Sequence, residues 1–314
     1  MATITVFLRG GLGNQMFQYA LGLNIAKKNN AELVLDTTFL NDRFPRKEFT
    51  YRNFDLNVFT LSPSKILSGK TWEGKPHFSV LSKISEKLPI PGIWFGLDIA
   101  FLMAKKILGM GKIIKEKKDY IFDPDVLKAK GSIVLWGHWQ SEKYFADIAD
   151  DVRSAFHFRK KLSGEVEVLA EQIKNSNSVS IHVRRGDYVK FENMKKIAGD
   201  TNLSYYSRAV SYIAERVSSP HFFVFSDDIA WCHENIKVQF PVTYLDDKTA
   251  GHKNAYHLEL MSLCKHNIIA NSTFSWWGAW LNNNPDKIVV APERWRADVS
   301  REDNDIVPNG WIKI

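Results

Sequence analysis

Cysteine is scarce. Cys232 and Cys264 are the only two thiols in 314 residues. They cannot make a disulfide framework, and no metal-ligand spacing accompanies them. Two reduced, buried thiols of a cytosolic protein are expected. Also missing is an apolar run that could cross a bilayer, which takes about 20 residues. The longest stretch, 90–110, is interrupted by Pro91, Gly92, Asp98, Lys105 and Lys106. A helix packed on the core is expected there, with an interfacial helix as the alternative. A signal segment is not expected, because Thr3–Leu8 already reads as a strand. Long basic runs are absent too. The formal charge of +7 and the pI of about 9.1 therefore favour anionic ligands in general, without selecting nucleic acid.

What is present suits a packed chain. Hydrophobic residues make up 45%, so two cores can be filled. The length fits two domains of roughly 150 residues each. Aromatics reach 13%, with ten Trp. Such rings serve sugar sites and plain cores alike.

The chain is organised around Ser178–Tyr188. Val179, Ile181 and Val183 alternate as a strand with one buried face, and His182 and Arg184 share the other. The strand runs into Arg185-Gly186-Asp187, a tight loop at its carboxyl end, where ligands sit in open α/β sheets. Two adjacent guanidiniums match an anion with several oxygens, such as a pyrophosphate. Asp187 is placed to hold one of them.

Strands and helices alternate around this centre. Strands are expected at Thr3–Leu8, Glu32–Leu35, Phe222–Phe225, Val242–Leu245, Asn267–Ala270 and Ile288–Ala291, and Ile133–Gln140 reads as a strand emerging into an aromatic and polar loop. Helices are expected at 141–156, 164–174, 204–217 and 254–265. That alternation predicts parallel sheets. Between 37 and 130 the pattern is weak.

Two further stretches carry chemistry. Arg9–Gln15 is a glycine-rich turn between a strand and a helix. With Asp36 in the place of a ribose-binding acid it partly fits a dinucleotide fingerprint, although Met16 replaces the last glycine. A tight turn in a doubly wound domain fits as well. Asn271–Trp280 places small hydroxyls ahead of an aromatic helix. Capping that leaves N–H groups for phosphate, or a capped core helix, both suit it. The rings of Trp136, His138 and Trp139 suit an acceptor sugar or packing equally.

Three motifs resemble one family. His182–Tyr188 reads His-Val-Arg-Arg-Gly-Asp-Tyr, which is similar to the signature of fucosyltransferases that use GDP-fucose, in their α-1,2 branch. Gly10–Ala20 resembles the N-terminal motif of the bacterial α-1,2-fucosyltransferases, and Asn271–Trp280 matches their pattern too.

The resemblance implies an α/β GT-B fold, two Rossmann-like domains facing each other across a cleft. The boundaries are 1–158 on the acceptor side and 159–314 holding the donor. It implies inverting transfer of L-fucose from GDP-β-L-fucose to the 2-hydroxyl of a terminal β-galactose, in glycan or O-antigen synthesis. No metal or other cofactor is implied. Arg184 and Arg185 contact the diphosphate, Asp187 orients them, and His182 lies beside them. Asp227, Asp228 and Glu259 are nucleotide candidates; for Glu259 a solvated helix face is the alternative. Ser272, Thr273, Phe274, Ser275 and Trp276 are candidates for phosphate and fucose. Gly11, Gly13, Asn14 and Gln15 form the acceptor-side loop. No general base is identifiable. A bacterial cytoplasmic enzyme is implied, acting on a free or lipid-linked oligosaccharide, the latter at the inner face of the membrane. The alternatives are an NAD-dependent oxidoreductase built on the first βαβ unit and a non-catalytic anion- or RNA-binding protein.

Overall fold

The structure is a computed structural model that describes residues 1–41, 43, 50–68, 111–186, 201–297 and 304–314. The apolar stretch at 90–110 and Asp187 lie outside them. The chain forms two compact units, Met1–Phe54 with Leu61–Val152, and Asp55–Thr60 with Arg153–Ile314. Each is α/β with a parallel sheet.

The first unit holds β1 (Thr3–Phe7), α1 (Leu12–Asn29), β2 (Glu32–Asp36), β3 (Lys65–Leu67), β4 (Lys112–Lys115) and β5 (Ile133–Trp136). Its strand order is β3-β2-β1-β5-β4, every pairing parallel. α1 has no charge before Lys27, so nearly its whole length is buried. Lys27 and Lys28 end it, where cations suit the helix dipole, and Asn30 closes it in the left-handed region at φ +46°.

The second unit holds α2 (Glu165–Lys174), β6 (Asn177–Val183), α3 (Leu203–Ala214), β7 (Pro220–Ser226), α4 (Ile229–Asn235) and β8 (Val242–Leu245). α5 (Ala255–Leu263), β9 (His266–Ile268), α6 (Thr273–Leu281), β10 (Val289–Ala291) and β11 (Ile312–Lys313) follow. The order is β11-β10-β9-β6-β7-β8, again all parallel. The strand–helix alternation expected after Ser178 is therefore present.

Two local expectations change. Residues 141–156 are not one helix. Two 3-10 turns, Glu142–Tyr144 and Ala146–Ile148, precede a short helix at Ala149–Ala155. Nor does β6 have a single buried face, since Ser178 through Val183 are all buried. β6 lies between β9 and β7, and helices cover both faces of a parallel sheet. Its small polar residues pay no desolvation penalty there. Ser180 Oγ accepts from Asn267 Nδ2 at 2.8 Å and Ser178 Oγ from the Lys265 N–H at 3.1 Å.

The six-residue piece Asp55–Thr60 belongs to the second unit because its apolar residues pack there. Phe59 is fully buried against Phe156 and Phe158, with ring centroids 5.0 and 5.1 Å away. The Thr60 N–H donates to the His157 carbonyl at 2.9 Å. Asp55 pairs with Lys253 at 3.0 Å. Among the described residues, no helix is long and apolar enough to cross a membrane.

Candidate active site

Strand register builds the centre of the second unit. β6 and β7 pair in parallel with Val183 beside Ser226. The next residues on each chain are Arg184 and Asp227, and the next again are Arg185 and Asp228. Arg184 Nη1 lies 2.5 Å from Asp227 Oδ2, and Arg185 Nε lies 3.0 Å from Asp228 Oδ2. Asp227 Oδ1 also accepts the Arg185 main-chain N–H at 2.9 Å. Gly186 makes this possible, because a Cβ there would stand 2.5 Å from Asp227 Oδ2. Burial works to raise the Asp227 carboxyl. Arg184 and the main-chain N–H groups of Arg185 and Gly186 overcome it and hold the group below its usual range.

Asp228 has a second task. It caps α4, accepting the Trp231 N–H at 3.2 Å. Trp231, which sequence reasoning passed over, lies under the Arg185 guanidinium at 3.8 Å. Asp227 and Asp228, the residues first assigned to the nucleotide, thus hold the two guanidiniums; the orienting role expected of Asp187 falls on a residue outside those described.

His182 is 6% exposed, and its Nδ1 is buried without a partner. Burial drives its pKa down to about 3, with Asp227 opposing and Arg184 assisting. The imidazole stays neutral near pH 7 and is too weak a base to take a proton from a hydroxyl. Its ring lies 5.8 Å from that of Phe274, so the structure brings the second and third motifs together.

α6 presents its N-terminus beside this centre. Ser272 stands at the N-cap position, yet its side chain makes no capping bond. The capping expected of it is not what the fold uses. Helical geometry still directs the first-turn N–H groups outward, a setting suited to phosphate. Ser272, Thr273 and Phe274 are partly exposed. Ser275 and Trp276 are not part of the surface. Ser275 is 1% exposed with Oγ donating to the Ser272 carbonyl, and Trp276 is fully buried with Nε1 donating to Ile306 at 2.6 Å. The aromatic run after Phe274 is core, because Trp276, Trp277 and Trp280 pack on one another.

Glu259 is placed elsewhere in the same unit. α5 packs on α2, and the charge nearest Glu259 in effect is Lys174, at the end of α2 that leads into the start of β6. Its Oε2 is buried without a hydrogen-bond partner, and burial pushes its pKa up to about 7. A carboxyl raised in the folded state stabilises fully below its unfolded pKa, and that contribution is lost as pH rises through 7. Glu259→Gln should therefore melt with the parent at pH 4, below the ordinary carboxyl value. At pH 8.5 it should gain on the order of 1 kcal/mol, discounted for partial exposure, or about 2–4 °C. Thermal melts at the two pH values test this, and equal shifts at both would contradict it.

In the first unit the N-terminal motif splits between scaffold and surface. Gln15 is fully buried, its amide donating to the carbonyls of Gly10 at 2.9 Å and Asn53 at 2.8 Å, and Gly13 is buried too. Gly11 and Asn14 are partly exposed, and Asn14 Oδ1 accepts from Gln140 Nε2 at 2.7 Å. Gln18 donates to the Gly137 carbonyl at 3.1 Å. The motif's amides thus hold the loop after β5. Asp36 is fully buried and accepts the Thr38 N–H at 2.9 Å, which removes it from ribose binding. Trp136 and Trp139 are buried, whereas His138 is partly exposed.

Glu116 was missed by sequence reasoning, because it lies in the weakly patterned region. Lys115 of β4 pairs with Trp136 of β5, which sets Glu116 beside Gly137. Its Oε2 accepts the His138 N–H at 2.6 Å and its Oε1 the Trp139 N–H at 3.0 Å. Burial pushes its pKa up to about 7. Asp119 adds to the rise, while the two main-chain bonds and Arg9 oppose it. Ligand atoms of Glu116, Asp119 and His138 lie within 4.8 Å of one another. We assign no ion to them, since Asp119 is exposed and such acidic groups commonly stand together without one.

Paired arginines held by carboxylates at the carboxyl edge of a parallel sheet, beside a helix N-terminus, place this chain among α/β proteins with a setting suited to an anionic group. The comparisons make the class specific. Residues 3–314 match the model of glycosyl transferase family 11, and the chain belongs to that family. It is 32% identical to the O-antigen biosynthesis glycosyltransferase WbnK of Escherichia coli over 98% of this chain and 99% of the relative. It is also 32% identical to an alpha-1,2-colitosyltransferase of Escherichia coli, over 100% of this chain and 99% of that one. Galactoside alpha-(1,2)-fucosyltransferase 1 of Bos taurus is 30% identical over 50% of this chain and 45% of its own length. The chain is therefore a glycosyltransferase, and the oxidoreductase reading of the first βαβ unit falls.

Proposed function

We propose that this enzyme transfers L-fucose from GDP-β-L-fucose to the 2-hydroxyl of a terminal β-galactose, with inversion, in glycan or O-antigen synthesis. The observation that carries the reading is the Arg184–Asp227 and Arg185–Asp228 clamp at the end of β6, in a chain whose family includes α-1,2-fucosyltransferases. Residues 159–314 hold the donor and residues 1–158 bind the acceptor. Arg184 and Arg185 bond the diphosphate oxygens, and the N–H groups at Ser272–Phe274 add to them. As the anomeric carbon–oxygen bond breaks, charge gathers on the β-phosphate. Fixed guanidiniums stabilise that charge most in the transition state. The cationic side chains take the place of a divalent ion, so no metal enters the mechanism.

The test incubates the enzyme with GDP-fucose and a β-galactoside, with and without excess EDTA, and determines the product linkage by NMR. An α-1,2-fucosyl galactoside formed equally in both is expected. Fucose on another position, or loss with EDTA reversed by manganese, overturns the reading. The colitosyltransferase relative, matched over the full chain, favours a second donor, the corresponding colitosyl nucleotide. A higher kcat/KM with that donor would decide for it.

A further inference from the structure

The reaction releases a proton from the acceptor hydroxyl, and among the described residues of the arginine loop none is suited to take it. His182 is buried and weakly basic, and Asp227 is ion-paired. We propose that Glu116 is the general base, with its carboxylate bonded to the attacking hydroxyl of the acceptor sugar. This rests on the glycosyl transfer proposed above.

Three features of the first unit point to it. Glu116 directly follows β4, at the carboxyl edge of the parallel sheet, where ligands bind in such folds. It is partly exposed, and its partners are main-chain N–H groups, not a cation in ion-pair contact.

The loop is also shaped around it. A Cβ on Gly137 would stand 2.5 Å from Glu116 Cβ and 2.7 Å from its Oε2, so only glycine fits. Trp139 takes a left-handed φ of +57°, a strained conformation for a bulky residue. That twist turns successive N–H groups of His138 and Trp139 toward one carboxylate. Gln18 and Asn14 of α1 hold the loop from behind.

The third feature is an unspent donor. Trp139 is 1% exposed and its Nε1 has no acceptor. Its Cε2 lies 2.9 Å from the same hypothetical Gly137 Cβ, so the indole edge borders the carboxylate. The charged and titratable groups around Glu116 are Asp119 after β4, Arg9 after β1 and His138 after β5. Burial and Asp119 place the carboxyl near 7, close to the pH at which a general base works best.

The step balances within the reaction. The acceptor oxygen forms its bond to the anomeric carbon of the donor. The bond from that carbon to the β-phosphate oxygen breaks, and its electron pair leaves with the nucleotide diphosphate. The hydroxyl proton passes to Glu116 and from there to water.

The test uses the full-length enzyme with whichever donor and acceptor it turns over. A wrong sugar assignment then shows in the parent's product, and a wrong base shows only in the variants. Glu116→Gln should keep its circular dichroism and bind GDP within twofold of the parent. Its kcat should fall about 100- to 10,000-fold. The parent's kcat/KM should decline below about pH 7, the acid limb of a base that must be ionised, and that limb should vanish in Glu116→Gln. Glu116→Asp keeps a carboxylate on a shorter arm. It should retain the limb at an intermediate rate, and it serves if the glutamine variant does not fold. A Glu116→Gln rate within threefold of the parent, or a large loss with the acid limb unchanged, would overturn the assignment. So would a folded Glu116→Asp without the limb.

Discussion

Replacing Arg184 by alanine is expected to lower the turnover of glycosyl transfer by roughly 100- to 1000-fold without unfolding the chain. Arg184 follows the last residue of β6, and its Nη1 is fixed by Asp227 at 2.5 Å. A guanidinium held this way needs no reorganisation when charge builds on the leaving phosphate, so its interaction strengthens in the transition state, and that increase is what accelerates transfer. Lysine keeps the charge but not the planar fork, and Arg184→Lys should be severely impaired as well. The fold should survive, because Asp227 keeps the main-chain N–H groups of Arg185 and Gly186 when the side chain is gone. Circular dichroism and melting check the fold, and initial rates check the loss. A folded Arg184→Ala enzyme within threefold of the parent, roughly 0.7 kcal/mol of barrier, would remove this residue from the mechanism.

Asp227→Asn should cost about 10- to 100-fold in turnover, the usual scale for a misplaced catalytic group. The asparagine still accepts the Arg185 N–H, but its amide N–H₂ in place of Oδ2 faces Arg184. The two losses should not multiply. If Asp227 acts by holding Arg184, the double variant Arg184→Ala/Asp227→Asn runs no slower than Arg184→Ala alone, within about threefold. A fully multiplicative double variant would show that Asp227 has a separate contact with the donor, the nucleotide role the sequence suggested. Kinetic comparison of the four enzymes isolates this coupling.

Much of the fold was legible in one dimension. Val179, Ile181 and Val183, then Phe222–Phe225, then Val242–Leu245 are short apolar runs between helical periods. Such runs read as buried parallel strands whatever the register. The loop after Val183 was legible for the same reason, since a polar run after a buried strand must leave the sheet at its carboxyl end. The three family motifs were legible as strings of residues.

Their division of labour was not. Trp276 and Phe274 stand two apart in one motif, yet one is core and the other faces His182. Gln15 and Asn14 are adjacent, yet one amide is spent inside the turn and the other meets the loop after β5. A helix turns about 100° per residue, so neighbours in sequence face different surroundings, and only the packing decides which is which.

Sequence alone determined the α/β class, the glycosyltransferase motifs and the arginine loop, because each depends on residues near one another in the chain. Tertiary structure decided the partners. Asp227 reaches Arg184 across 43 positions because β6 and β7 pair with Val183 beside Ser226. Glu116 meets the His138 and Trp139 N–H groups because β4 and β5 pair with Lys115 beside Trp136. A shift of one residue in either register would turn those side chains to the opposite face. Nothing in the local sequence fixes that register; it is set by how both faces of each sheet bury their apolar residues.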